Sequence, residues 1–457
     1  MHDDDTDSHP TRVTRRQVLA TAAALSGAAA IGGLGQPLGA AAEEREHADR
    51  LPRPELSGIE HIVLVMMENR SFDHFLGWLP EADGRQAGLT FRDAAGIRHP
   101  THELAPDFQG CGFSDPDHSF AGGRVEYDGG RCDGWLRAGS NDVYCIGYYR
   151  RHDLPFFAQL APRFVALDRY FCAILGPTFP NRIFQHAGTT DRLSNTPTIS
   201  TLPTIWDRLA ASGVSGRYYF SDLPVLGLWG AKYQSISRPI SQFFLDASTG
   251  QLPSVAYLDP RFIGEDEGIS NDDHPHADVR NGQAFLDSIY RAVISGPNWD
   301  KTVLVINYDE WGGFFDHVPP PAGAVTTAEQ ALGYTDGLRG FRVPCLVISP
   351  WSQIQRVSHR LFDHTSVLKL IEWRFGLEPL SVRDAAANNL ATVLDFDEPR
   401  PEAPRTDVPA GPFGGPCPPT PTPSVATAAM PASPANDEPA KEWHGLRDLA
   451  RNHGWAV

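Results

Sequence analysis

The run His61-Ile62-Val63-Leu64-Val65-Met66-Met67-Glu68-Asn69-Arg70-Ser71-Phe72-Asp73-His74-Phe75-Leu76 decides the fold. From Ile62 to Met67 it is continuously apolar, the pattern of a strand buried on both faces, and it halts at Glu68-Asn69-Arg70. Phe72, Phe75 and Leu76 then fall at helical spacing, so strand passes into a short helix across a polar junction. The pattern recurs at residues 302–308, which end in Asp309-Glu310, and at 343–349, with shorter strands expected at 164–168 and 254–259. Between them lie amphipathic patterns. Residues 278–295 place Phe285, Leu286, Ile289, Tyr290 and Val293 on one face; residues 365–376 carry Val367, Leu368, Ile371, Trp373 and Phe375, with Thr365 or Ser366 as cap and Gly376 as stop. Alternating buried strands and helices predict an α/β fold with a mostly parallel central sheet flanked by helices on both faces. Ligands in such sheets bind outside the carboxyl ends of the strands, where Glu68-Asn69 and Asp309-Glu310 stand.

The 457 residues carry 39 Lys+Arg against 56 Asp+Glu, a formal charge of −17. That balance excludes a sequence-independent nucleic-acid binder, which needs a basic face to neutralise phosphates. No run in the body of the chain is long and apolar enough to span a bilayer. At the amino terminus, Arg15-Arg16 precede an apolar run from Val18 to Leu34 and the small residues Ala40-Ala41-Ala42, an arrangement similar to a twin-arginine export signal. The expected organisation is a signal over 1–42 read by the twin-arginine machinery, a lead-in over 43–57, a catalytic domain over 58–397, a Pro-rich linker over 398–439 and a helix over 440–457. The protein is then periplasmic, cell-wall-associated or extracellular. In an oxidising compartment the six cysteines predict one or two disulfides, most readily among Cys111, Cys132 and Cys145.

Four groups of residues carry chemistry. Glu68, Asn69, Asp309 and Glu310 offer carboxylate and amide oxygens suited to a hard divalent cation, provided their two strands are neighbours. Thr178 lies in Gly176-Pro177-Thr178-Phe179-Pro180-Asn181-Arg182, where flanking residues of restricted φ hold one hydroxyl in a fixed pose, with Asn181 and Arg182 as ordinary polar neighbours. His118, His274, His276 and His364 sit among polar loop residues; beside carboxylates such histidines are held protonated and stabilise a phosphoryl oxygen or protonate a leaving alkoxide. His317, close to Asp309-Glu310, either joins that site or structures its loop. The long Gly-rich stretch 87–150 reads as an active-site rim, with Trp135, Tyr144, Tyr148, Tyr149 and Trp311 as aromatics for an acyl or choline group, or else as core. No G-x-S-x-G elbow occurs, which excludes the usual serine hydrolase.

The blocks from Ile62 to His74, Gly176 to Arg182 and Asn307 to Pro320 resemble the three signature segments of the bacterial phosphoesterase family, which holds non-haemolytic type phospholipases C and related acid phosphatases. The resemblance implies an alkaline-phosphatase-like fold with one divalent metal ion, Ca, Mg or Mn favoured over Zn. It implies Glu68, Asn69, Thr178, Asp309 and Glu310 as the metal's ligands, Thr178 as nucleophile, and His118, His274 and His364, with His276 as a weaker fourth, at the phosphate. Trp311 departs from the family pattern, in which a small or polar residue is expected. The implied activity is phospholipase C hydrolysis of phosphatidylcholine-type diesters through a phosphothreonine. Alternatives are an acid phosphatase acting on small phosphomonoesters and, in another class, a non-catalytic secreted binding protein. Oligomeric state is not legible.

Overall fold

The structure, a computed structural model, describes residues 51–352, 357–397, 399–418 and 439–457. The export signal expected over 1–42 lies outside the described residues. Eight strands form one sheet: β1 (His61–Met67), β2 (Val165–Leu167), β3 (Gly216–Phe220), β4 (Ser237–Pro239), β5 (Val255–Asp259), β6 (Thr302–Tyr308), β7 (Cys345–Ile348) and β8 (Val357–Ser358). Their spatial order is β8-β2-β7-β6-β1-β5-β3-β4. β1 is central and runs parallel to β5 and β6, while β7 runs against both of its neighbours, so the sheet is mostly parallel. All seven residues of β1 and of β6 are buried. Since successive side chains point to opposite faces, both faces of the sheet are covered.

The helices that matter to the site are α1 (Phe72–Leu76), α2 (Phe120–Tyr127), α3 (Thr178–Ala187), α4 (Val279–Ser295), α5 (His364–Phe375) and α6 (Pro439–Asn452). α5 begins at His364, before either cap that its sequence pattern suggests. Its cap is Asp363, whose carboxylate accepts from Thr365 N and whose backbone N–H donates to Ser366 Oγ, a reciprocal box that makes His364 the first helical residue.

The stretch 87–150 is not a loose rim. It folds into short strands and turns of helix whose aromatics complete the core: Trp135, Tyr144, Tyr148 and Tyr149 are each 5% exposed or less, as is Trp311 from the loop after Glu310. Tyr149 stacks on Phe108, and Trp311 donates Nε1–H to Glu126 Oε2 at 2.8 Å. The two glycines inside α2 follow from this packing. A Cβ on Gly122 would meet the Asp117 carboxylate at 2.3 Å, and one on Gly123 would meet the Trp311 ring at 2.9 Å.

The described part of the Pro-rich segment, 399–418, is also not a free spacer. Its carbonyls accept from Trp299 Nε1 and Tyr290 OH, Phe413 N donates to Asn281 Oδ1, and Cys417 N donates to Asp266 O. Cys417 is disulfide-bonded to Cys111. The pairing expected among Cys111, Cys132 and Cys145 therefore does not form: Cys132 and Cys145 are buried free thiols, and the partner of Cys111 arrives from 306 residues away. Beyond the segment, α6 buries Trp443, Leu446 and Ala450, with Trp443 stacked 4.1 Å over Phe262.

A cross-link closing so long a loop restricts the unfolded chain strongly. Cys417→Ser is expected to lower the unfolding free energy by about 2–4 kcal/mol in urea titration, with Cys111→Ser equal to it and the double variant no worse.

Candidate active site

Register builds the centre. Met66 pairs with Asn307 and Met67 with Tyr308, so Glu68-Asn69 and Asp309-Glu310 leave adjacent strands side by side. Asp309 Oδ1 accepts from Asn69 N at 3.1 Å and from Glu310 N at 2.7 Å, and Arg70 N donates to Glu310 O. Asn69 holds a left-handed φ of 56°, which asparagine tolerates. Gly312 must be glycine, because a Cβ there would lie 2.1 Å from Asn69 O.

α3 brings the third component. Asn181 Nδ2 donates to the carbonyls of Ile174, Gly176 and Pro177, fixing the turn that leads into the helix. Thr178 is the first residue of that helix, wholly buried, and its hydroxyl donates to Glu68 Oε2 at 3.2 Å. One turn on, Arg182 ion-pairs with Glu68 Oε1 at 2.6 Å, Asp259 Oδ1 at 2.9 Å and Asp309 Oδ2 at 3.5 Å. Burial alone would lower the guanidinium's pKa, but these carboxylates outweigh it and raise it. Arg182 is therefore not an ordinary polar neighbour, and Asp259 joins the site unannounced by any motif; the sequence signal for both is a cation four residues after Thr178, on the same helical face, and an acid closing a strand.

The centre suits a cation. Glu68, Asp259 and Asp309 are buried around the guanidinium of Arg182, and Glu310, also buried, adjoins Asp309. Asn69 Oδ1 and Asp309 Oδ2 are buried without a hydrogen-bond partner among the described residues. Buried negative charge and orphaned oxygens of this kind are what a hard divalent ion satisfies.

The histidines divide. His118 Nε2 lies 3.4 Å from Asn69 Nδ2 and 3.9 Å from Glu310 Oε1. His274 faces His118 edge to face at 5.7 Å between centroids. His364 Nε2 donates to Asp309 O at 2.6 Å, and its Nδ1 accepts from Tyr170 OH, which in turn accepts from Asn307 Nδ2. Burial pushes His274 well below the usual histidine range and His364 down to about 4. Both are neutral at pH 7, in place of the protonated histidines expected. His276 stands apart, with Nδ1 on Asp266 and Nε2 donating to Phe113 O, so the structure does not bring it into this centre.

A model of the Phosphoesterase family matches residues 59–378. The chain belongs to that family. It is 34% identical to Phospholipase C B of Mycobacterium tuberculosis, over 87% of this chain and 88% of that one. It is 30% identical to Non-specific phospholipase C1 of Arabidopsis thaliana, over 76% and 73%. With Non-hemolytic phospholipase C of Pseudomonas aeruginosa it shares 31% identity over 77% of this chain and 60% of that one. Among solved structures it is similar to the phosphonate monoester hydrolase of Agrobacterium radiobacter, at 10% identity and a TM-score of 0.37, covering 74% and 78%. As a phosphoesterase, the protein is a hydrolase of phosphoric esters.

In this phosphoesterase His317 structures the loop after Glu310. It pairs with Asp73 at 2.5 Å and Asp83 at 3.1 Å, next to Arg342, which binds Asp73 and Asp316. Burial opposes the imidazolium, but the hydrogen bonds to Asp73 and Asp83 outweigh it and raise its pKa to about 9. The folded value lies above the unfolded one, so this pairing stabilises fully below pH ~6.5 and is lost as pH rises through about 9. Urea unfolding should show a decline on the order of 2–3 kcal/mol across that window, and His317→Gln should flatten it.

Proposed function

We propose that this phosphoesterase is a phospholipase C that hydrolyses phosphatidylcholine-type diesters through a phosphothreonine on Thr178. The observation that carries the reading is the Thr178 hydroxyl, fixed at a helix start and donating to Glu68 Oε2 beside the paired strand-end carboxylates. Phospholipases C among the relatives support the diester class.

Glu68, Asn69, Asp309, Glu310 and Thr178 would hold the divalent ion. When bound, it supplies positive charge to a phosphoryl oxygen and makes the threonine hydroxyl more acidic. Oxygen donors favour Ca, Mg or Mn over Zn. Glu68 Oε2 receives the Thr178 proton as Oγ1 attacks phosphorus in line, forming the Oγ1–P bond while the bond from phosphorus to the glycerol oxygen breaks. The helix start favours the anionic phosphoryl group, and Arg182 keeps Glu68 oriented through its other oxygen. His118, the histidine of the centre in reach of solvent, delivers the proton to the leaving alkoxide. His274 stands beside His118 on the phosphoryl side, and His364 fixes the Asp309 backbone. Water then cleaves the phosphothreonine and releases phosphocholine. Export by the twin-arginine machinery would deliver the enzyme outside the cytoplasm, where the Cys111–Cys417 bridge persists.

The test compares p-nitrophenyl phosphorylcholine with p-nitrophenyl phosphate in the presence of Ca, Mg or Mn. Wild type is expected to prefer the choline diester, and Thr178→Ala to lose at least about 10³-fold in kcat while unfolding at the same temperature. Quenched wild-type reactions should contain a phosphorylated Thr178 peptide by mass spectrometry. Preference for the monoester would move the enzyme to the acid phosphatase branch. Residual Thr178→Ala turnover near wild type would sink the nucleophile assignment.

A further inference from the structure

Asp115, His118 and His274 form a second donor set next to the oxygen-lined centre, with one carboxylate oxygen or ring nitrogen of each all within 4.8 Å of one another. The tautomers are set by neighbours. His118 Nδ1 donates to Pro116 O at 2.8 Å, and His274 Nδ1 donates to Pro275 O. A carbonyl oxygen only accepts, so each ring carries a proton on Nδ1, and the buried, neutral His274 ring is left with its lone pair on Nε2. His274 is wholly buried, and its Nε2 has no hydrogen-bond partner among the described residues; the same holds for Asp115 Oδ1. A buried imidazole lone pair and a buried carboxylate oxygen left unmatched are costly unless something occupies the space between them.

Two other carboxylate–histidine groupings do not offer this. In Asp73, Asp316 and His317 the cation is already present as the Arg342 guanidinium. In Asp266, His276 and Cys417 the sulfur is spent in the disulfide. Asp115, His118 and His274 instead combine two nitrogen donors, each with its other nitrogen pinned to a carbonyl, and one carboxylate. That is the ligand type and outer-shell arrangement of a zinc site. The neighbouring set of Glu68, Asn69, Thr178, Asp309 and Glu310 is oxygen only and selects a harder ion.

We propose that Asp115, His118 and His274 bind a borderline-soft divalent transition metal such as zinc at a second site, and that its occupancy inhibits hydrolysis by engaging Nε2 of His118, the proton donor to the leaving group. The cation site stands on the donor geometry; the inhibitory half rests on the function proposed above. Zinc–nitrogen and zinc–oxygen bonds of about 2.0–2.2 Å require each donor to move inward by roughly 1 Å. Asp115 and His118 lie on one partly exposed loop segment, between Phe113 and Phe120. The fourth position stays open to water or a phosphoryl oxygen.

The experiment uses the full purified chain saturated with Mg. Zinc titrated calorimetrically should bind one further equivalent, and Co should give the intense visible bands of a four-coordinate ion with nitrogen donors. His274→Gln is expected to remove both signals, Asp115→Asn to weaken zinc by at least about tenfold, and Thr178→Ala to leave them unchanged. With p-nitrophenyl phosphorylcholine, zinc should inhibit wild type, and Asp115→Asn should keep its starting rate while needing at least about tenfold more zinc. Absence of the second equivalent, or equal zinc binding by wild type and His274→Gln, would overturn the site. Zinc and Co bound as described on a protein that hydrolyses no phosphoester would overturn the function and the inhibition while upholding the site.

Discussion

The structure depends on concentrating negative charge at the ends of two adjacent parallel strands. Glu68, Asp309 and Glu310 are fully buried, and Asp259, closing the next strand, is nearly so. Carboxylates at that spacing repel one another strongly in a low-dielectric interior. Arg182 is the counterweight within the chain, reaching three of them from one helix face. The remaining imbalance, with the buried Asn69 Oδ1 that has no hydrogen-bond partner among the described residues, is the physical basis for a cation there. Thr178 is on the same helix as Arg182, so the interaction that neutralises the carboxylates also delivers the hydroxyl to Glu68.

Support for this arrangement spreads outward in layers. Arg182 lies over the Phe262 ring at 4.8 Å, and Phe262 is stacked in turn on Trp443 of the carboxy-terminal helix. The loop after Glu310 is fastened by the His317, Asp73 and Arg342 ion pairs on one side and by the Trp311–Glu126 hydrogen bond on the other. The Trp311 ring is accommodated by α2, where Gly123 leaves room for it. The same helix follows directly on His118, so the loop carrying Glu310 and the loop carrying His118 are held in common register. The tail 399–418 and the Cys111–Cys417 bridge join the segment before His118 to the segment before His274.

Much of the centre was legible because strand and helix periods are local. Uninterrupted apolar runs marked β1 and β6, and the polar residues that ended them were the acids and amide now found side by side. The Gly176–Arg182 block stood out through its restricted residues. What escaped reading were properties of neighbours distant in sequence. His274 and His364 looked exposed and protonated because polar residues flank them, yet burial keeps both neutral. The aromatics of 87–150 looked like a rim because the stretch is polar and Gly-rich, yet its rings turn inward. Asp363 rather than Thr365 or Ser366 caps α5, a choice decided by one backbone conformation.

By itself the sequence determined the α/β class, the strand ends where chemistry would gather, and the residue types able to do it, since each follows from periodicity and composition within a few neighbouring residues. Only the tertiary structure decided that β1 and β6 are adjacent, that Arg182 rather than solvent balances the carboxylates, that His276 stands outside the centre, and that Cys111 finds Cys417. These are pairings between segments tens to hundreds of residues apart. They are selected by the closure of one buried sheet and the cost of leaving charge unmatched inside it, which no local pattern encodes.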